Sequence, residues 1–453
     1  MHSEAMSPSW RHSVSSIGLI FTAAGCGQSG TVPTGPPSQA SVTVTASSPV
    51  VLLGSTLQLA VIVKDASGAV VTDPKVAFSS SSPPIAVVSA AGVVTGVSLG
   101  IATISATAEG LSGKLDVTVM VPYESGGSNY PFYSMGTELS NPTPANWYAP
   151  LNLRPVIGTY HLDSTTVQQQ LATMYANGQR KVSLNLWYTD LGPLGPDVYG
   201  HEVNAHSGHL LPQHLTNLKS VLAAIQRTGF NEVILRFDTQ WILDPSDPAW
   251  VDSSSKDPAW VDSSYNIVWS FVSSTIRQAE AAKENLDLLY DLDGEKGGLE
   301  VGQARAYTRR LWKDYLSQFP VENSFGFSIA GAAPSSTTIG ADRLTSLIAD
   351  FDAVGTRPNV YADDIYDNEL EALASFYQAL AAAHEQHKLV IFNEGYYNDS
   401  ITAAAIKRAR NELHMNIRFI MQWPWGRNTQ PSGSFGCCFS VDYAAEYSAY
   451  RTP

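Results

Sequence analysis

The residues in this chain best suited to chemistry are carboxylates that close strand-like apolar runs. One run ends in Arg236-Phe237-Asp238. The next reads YDLDGE, with Asp291, Asp293 and Glu295 on one side if the strand alternation continues. A third reads YADDIYD, with Asp363, Asp364, Tyr366 and Asp367, and a fourth VIFNEGYYND, with Asn393, Glu394 and Tyr396. The last ends in Gln422-Trp423-Pro424-Trp425. Acids and aromatic rings thus collect where a packed strand would otherwise stay apolar. Glycoside hydrolysis needs two carboxylates flanking the scissile bond, one to protonate the leaving oxygen and one to attack or to activate water. Aromatic rings add stacking surfaces for the apolar faces of sugars. The combination points to that chemistry; a single acid does not, because such carboxylates also cap helices and pair with arginine.

Something must hold these run ends together. From about residue 150, apolar runs alternate with helix-length amphipathic stretches, a pattern that calls for parallel strands with helical crossovers. Eight runs are read: Val156–Tyr160, Lys181–Tyr188, Glu232–Asp238, Leu286–Asp291, Ser324–Ile329, Asn359–Ala362, Leu389–Phe392 and Ile417–Gln422. Stretches such as TTVQQQLATMYANG, LTNLKSVLAAIQRTG and ELEALASFYQALAAAHEQ lie between them. Eight such units in about 300 residues predict a (β/α)8 TIM barrel over 150–453, whose catalytic groups come from the C-terminal ends of strands. An open doubly wound sheet is the alternative, but no Gly-rich dinucleotide loop follows the first run.

The preceding part reads differently. Residues 40–121 alternate with period two and are dense in Val, Thr, Ser and Ala, which predicts a β-sandwich. Its pieces Gly54-Ser55-Thr56-Leu57-Gln58-Leu59, Phe78-Ser79-Ser80-Ser81, Ile85-Ala86-Val87-Val88, Gly92-Val93-Val94-Thr95-Gly96-Val97 and Gly100-Ile101-Ala102-Thr103-Ile104 resemble the bacterial immunoglobulin-like group 2 domain, with Phe78 where that family usually has Trp. The resemblance implies a spacer or adhesion module. Residues 122–149 are expected to be an interdomain linker. At the N-terminus, Arg11-His12, an apolar stretch from Val14 to Ala24 and the box Ala23-Ala24-Gly25-Cys26 read as a signal peptide over 1–26 with a lipobox-like end. Cys26 is then the lipidated residue, 27–39 a flexible tether, and the protein an exported surface or outer-membrane lipoprotein.

The later strands resemble the clan A, cellulase-like glycoside hydrolases. The carrying residues are Val390-Ile391-Phe392-Asn393-Glu394-Gly395, Gln422-Trp423-Pro424-Trp425, and Asp364 with Tyr366. The resemblance implies that Glu394 is the nucleophile of a retaining mechanism. It also implies an Asn-Glu pair on the fourth strand, which this chain lacks, having Asp291-Leu292-Asp293-Gly294-Glu295 instead. Asp293 is the first choice for the acid and Glu295 the second. Trp187, Arg236, Asp238, Trp241, Asp364, Tyr366, Asn393, Tyr396, Trp423 and Trp425 are expected to bind substrate.

The octamer DPAWVDSS occurs at 247–254 and again at 257–264, so Trp241, Trp250 and Trp260 form either an aromatic wall or the residue of a slippage event. His201, His206, His209 and His214 match no helical zinc spacing and are read as solvated; no metal or other cofactor is expected. Cys437-Cys438 could close only a strained vicinal disulfide or stay reduced. A net charge of −14 argues against nucleic acid, whereas a neutral polysaccharide or oligosaccharide makes no electrostatic demand. A monomeric glycosidase is therefore expected. The alternative is a glycan-binding or adhesion lipoprotein on a barrel that has lost hydrolysis.

Overall fold

The computed structural model describes residues 40–134, 154–189, 203–239, 243–245, 258–300, 303–330, 338–424, 426–427 and 446–451. Cys26, Trp241, Trp250, Trp425, Cys437 and Cys438 lie outside these residues, and so do the lipobox, the tether and the first DPAWVDSS copy. The second copy runs into a helix, Pro258–Ala282. Among the described residues, no helix is long and apolar enough to cross a membrane.

The N-terminal segment forms small sheets around one core, antiparallel except where Val50–Leu52 runs parallel to Leu111–Met120. Val50–Leu52, Leu111–Met120, Gly100–Ala108 and Ala77–Ser80 make a four-stranded sheet, and Thr56–Gln58, Val93–Gly96 and Ala86–Val88 a three-stranded one. Ser41–Thr45 pairs with Ala60–Lys64. The period-two pattern works as expected: Val51, Leu57, Val63, Val94, Ala102, Ile104, Val117 and Val119 turn inward to a shared apolar cluster. Gly92, at φ +73°, passes beneath Phe78, where a Cβ would stand 2.9 Å from the ring.

The larger segment is a barrel. Its strands are β1 (Gly127–Asn129), β2 (Lys181–Thr189), β3 (Glu232–Thr239), β4 (Asp287–Asp291), β5 (Ser324–Gly326 and Ile329–Ala330), β6 (Val360–Ile365), β7 (Leu389–Gly395) and β8 (Ile417–Gln422). All pair in parallel, in the order 5-4-3-2-1-8-7-6-5. The first half of β5 pairs with β4 and the second half with β6, so the path closes on itself rather than ending in two open edges. Among the described residues, seven crossover helices follow in turn: α1 (Ser164–Ala176), α2 (Pro212–Thr228), α3 (Pro258–Ala282), α4 (Ala304–Leu316), α5 (Ile339–Val354), α6 (Glu369–Ala382) and α7 (Ser400–Glu412). Their limits follow local chemistry. Asp163 and Asp399 accept backbone N–H bonds at the starts of α1 and α7, and Gly229 and Gly355 take left-handed turns at the ends of α2 and α5.

The first strand is not where the apolar run predicts it. Val156–Tyr160 enters a short helix, Val156–Thr159, with Val156 and Ile157 packed into the layer between strands and helices. The strand is instead Gly127-Ser128-Asn129, inside the stretch expected to be linker. It carries no apolar side chain, and small size is what it needs. A Cβ on Gly127 would lie 1.7 Å from the Lys181 carbonyl oxygen, and one on Gly126 2.0 Å from that of Ile420. Gly126 and Gly127 let β8 and β2 close around the segment.

Inside the barrel the pleat stacks residues in layers. Ile234, Leu289, Phe325, Val360, Ala362, Ile391, Phe419 and Met421 form an apolar floor. Two residues further along β3, β4, β6 and β7, at the C-terminal end, stand Arg236, Asp291, Asp364 and Asn393, all buried. The change from apolar to polar occurs at one height in four strands, three of them with a charged residue there, and this height is the base of the site.

Candidate active site

Arg236 sits at the centre with 2% of its surface exposed. Its Nη1 donates to Oε1 of Glu394, its Nη2 to Oδ2 of Asp364 at 3.2 Å and to Ser328 Oγ at 3.5 Å. Nε lies 3.4 Å from Asp291 Oδ2, and Nη2 3.5 Å from Glu295 Oε1. Four carboxylates thus face one guanidinium. Burial by itself would favour the neutral form, but Glu394, Asp364, Asp291 and Glu295 hold Arg236 firmly charged. Arg236, expected to meet substrate, is enclosed, and its guanidinium is occupied by these four acids.

Glu394 and Asp364 are brought side by side by a bulge. In the β6–β7 ladder Asp363 pairs with Phe392 and Asp364 with Glu394, which leaves Asn393 as the extra residue. Asn393 is fully enclosed. It donates to Asp291 Oδ2 at 3.2 Å, and its carbonyl accepts from Asn129 at 2.7 Å, so it supports the floor rather than facing a ligand. The other oxygen of Glu394 accepts from Tyr366 Oη at 2.8 Å. Burial pushes the Glu394 carboxyl above its usual range, while Arg236 and Tyr366 pull it down and the Glu295 charge pushes it up. Burial and Glu394 push the Asp364 carboxyl well above its usual value, against the pull of Arg236.

The two choices for the acid occupy different places. β4 stops at Asp291, so strand alternation does not extend to Asp293 and Glu295. Asp293 turns away from Glu394 and is wholly buried, accepting from Thr239 N at 3.0 Å, Thr239 Oγ1 at 2.8 Å and Tyr307 Oη at 2.6 Å. Burial pushes it up to about 6 against Lys296 and these donors. Three enclosed donors make it a strut. Glu295, at φ +61°, keeps 48% of its side chain exposed. Carboxylate oxygens of Glu295, Asp364 and Glu394 lie within 4.8 Å of one another. Such a trio has the chemistry of a cation site, but the Arg236 guanidinium already contacts all three acids.

Aromatic residues flank the opening on the β2 and β8 side. Trp187 and Trp423 meet edge to face at 6.3 Å, and Trp187 stacks on Phe132 at 5.4 Å. The Trp187 indole donates to Asp238 Oδ2 at 2.9 Å. Burial pushes the Asp238 carboxyl up to about 8, opposed by Lys296, which also bonds Asp244 at 2.9 Å. Tyr396, expected at the ligand, is buried behind Tyr366, with its ring edge-on at 4.9 Å and Arg427 stacked over it at 4.4 Å. Trp260 lies in α3. His206 and His209 are paired positions of a small hairpin, His214 is in the first turn of α2, and His201 lies outside the described residues. Ser328, Lys296, Tyr307 and Asn129 carry no sequence signal: each is a single polar residue in a run that reads equally well without it.

Residues 39–119 match the family model for the bacterial Ig-like domain (group 2). That segment is such a domain, as its alternating motifs imply. No curated protein sequence matches the chain. Among solved structures, two S-layer domains of SbsC are 26% identical over 19% of this chain and 54% of theirs, with a TM-score of 0.17. The exo-beta-1,4-mannosidase Op5Man5 from Opitutaceae bacterium strain TAV5 is 13% identical over 69% of this chain and 53% of its own, with a TM-score of 0.39. A GH5_18 protein from Bifidobacterium longum subsp. longum is 11% identical over 72% of this chain and 74% of its own, with a TM-score of 0.40. The chain spans about half the length of the first two. Chemistry has to be argued from the residues themselves.

Proposed function

We propose that the barrel is a retaining glycoside hydrolase acting on a polysaccharide or oligosaccharide, with Glu394 as nucleophile and Glu295 as acid/base. The observation that carries this reading is the approach of the Glu295 and Glu394 carboxylates to within 4.8 Å at the C-terminal mouth of the barrel. Double displacement requires carboxyl groups about 5–5.5 Å apart, whereas inversion leaves about 6.5–9.5 Å for a water molecule. Arg236 and Tyr366 each hold one oxygen of Glu394, which fixes its attack direction and favours its ionised form.

The cycle is built on these contacts. Glu295, half in solvent, protonates the departing glycosidic oxygen as Glu394 forms a bond to the sugar. The product of this step is a glycosyl ester on Glu394 and a free hydroxyl on the leaving group. Glu295, now a carboxylate, takes a proton from water as that water releases the sugar and restores Glu394. Trp187 and Trp423 supply the stacking wall. The Ig-like segment acts as a spacer on an exported protein whose lipid anchor would be Cys26. Glu394→Gln should abolish release of reducing ends from a polysaccharide panel and Glu295→Gln should lower it by about 10²–10⁴-fold; hydrolysis that survives the first substitution contradicts the assignment.

A further inference from the structure

The turn that presents Glu295 is fastened on every side. Glu295 is left-handed at φ +61°, a conformation side chains other than glycine rarely adopt, although half of its own side chain is in solvent. Its N–H donates to Ser328 Oγ at 2.9 Å, the N–H of Gly294 to Phe237 O at 2.6 Å, and that of Gly297 to Ser328 O at 3.0 Å. Arg343, near the start of α5, completes the frame. Its Nε donates to Gly297 O at 2.8 Å, its Nη1 to Ala330 O at 3.2 Å, and its Nη2 to Glu295 O. Gly298, at φ +67°, lies flat against the same helix turn, where a Cβ would stand 1.9 Å from the Arg343 carbonyl oxygen.

We infer that Arg343 is a positioning residue for Glu295: its planar fork ties the main chain at Glu295 and Gly297 to strand β5, holding the acid at the height of Glu394. Lysine cannot replace it, because one ammonium does not span three carbonyls in a plane. This rests on the glycosidase reading, in which Glu295 has a proton to deliver. Glu295 is the exposed residue of a turn whose neighbours Gly294, Lys296, Gly297 and Gly298 are buried, so its carboxylate is held only through its main chain; without the clamp it would wander by an ångström or more, enough to lower the rate by about 10²-fold.

The test separates position from folding. Phenyl and dinitrophenyl glycosides of the common hexoses and pentoses are screened, and kcat/KM is measured on both aglycones of the sugar that turns over. The phenyl group needs a proton to leave; the dinitrophenyl group does not. Arg343→Lys and, independently, Gly298→Ala should each lower kcat/KM for the phenyl substrate by about 10²-fold and leave the dinitrophenyl substrate little changed. Equal losses on both substrates, no loss on either, or failure of both variants to fold by circular dichroism overturns the inference. Glu295→Gln is run alongside. If it shows no split between substrates, the proposed function fails at Glu295; if it does and the clamp variants do not, only the role of Arg343 falls.

Discussion

Asp364 and Glu394 are paired directly across the β6–β7 ladder, and both bond the same guanidinium, that of Arg236. Two carboxylates so placed cannot both be fully charged without that cation between them. Arg236→Met should therefore destabilise the barrel by about 3–5 kcal/mol, the usual effect of stranding buried charge. Adding Asp364→Asn should recover part of that loss. Urea unfolding of the single and double variants measures the coupling; strictly additive effects would show that the contact carries no energy.

Asp293 and Glu295 are two residues apart and should behave as different kinds of residue. Asp293→Ala leaves the buried donors of Thr239 and Tyr307 without an acceptor, which costs about 1–3 kcal/mol per group. Its melting temperature should fall while the folded protein still hydrolyses. Glu295→Gln should melt like the parent and lose about 10²–10⁴-fold in kcat/KM on unactivated substrate. The opposite pattern would return the acid role to Asp293.

Much of this site was legible in the sequence, for a definite reason. Inward positions of a barrel strand are apolar by default, so Arg236, Asp291, Asp364 and Glu394 stood out against their own runs. β1 did not, because Gly126 and Gly127 are selected by backbone crowding against Lys181 and Ile420, which hydrophobic periodicity cannot register. The proposed acid, Glu295, differs from the first choice on the sequence, Asp293, for a related reason. Strand alternation ends at Asp291, and the left-handed Glu295 redirects the chain, so the spacing of Asp293 and Glu295 does not tell which of them faces Glu394. The bulge at Asn393 was equally hidden, since one extra residue shows only against its partner strand.

pH should act on rate and stability in different windows. Glu394 must be ionised to attack, and burial raises its pKa, so the acid limb of kcat/KM should lie above the ordinary 4.5. Burial raises Asp291 and Asp293 from 3.8 to about 6 and Asp238 to about 8. The folded state then keeps protons that the unfolded chain releases, and stability declines as pH rises from 3.8 through these values. Melting temperatures should drop between pH 6 and 8, and Asp238→Asn should flatten that segment. A curve that climbs across the interval contradicts the assignment of Asp238.

Barrel closure depends on the two glycines before Ser128. Gly127→Ala forces a methyl group into the Lys181 carbonyl and should destabilise by about 3 kcal/mol or more. Native-state hydrogen exchange at β1, β2 and β8 is the check. Protection unchanged in those strands would mean that the close approach is not needed.

The central claim is that Glu394 forms a covalent bond to a sugar. A slow dinitrophenyl 2-deoxy-2-fluoro glycoside of the sugar that turns over, followed by peptide mapping with mass spectrometry, tests it directly. A single glycosyl ester is expected, on Glu394, forming in the parent protein and not in Glu394→Gln. Labelling of any other carboxylate, or steady turnover of the natural substrate with inversion and no adduct, contradicts it.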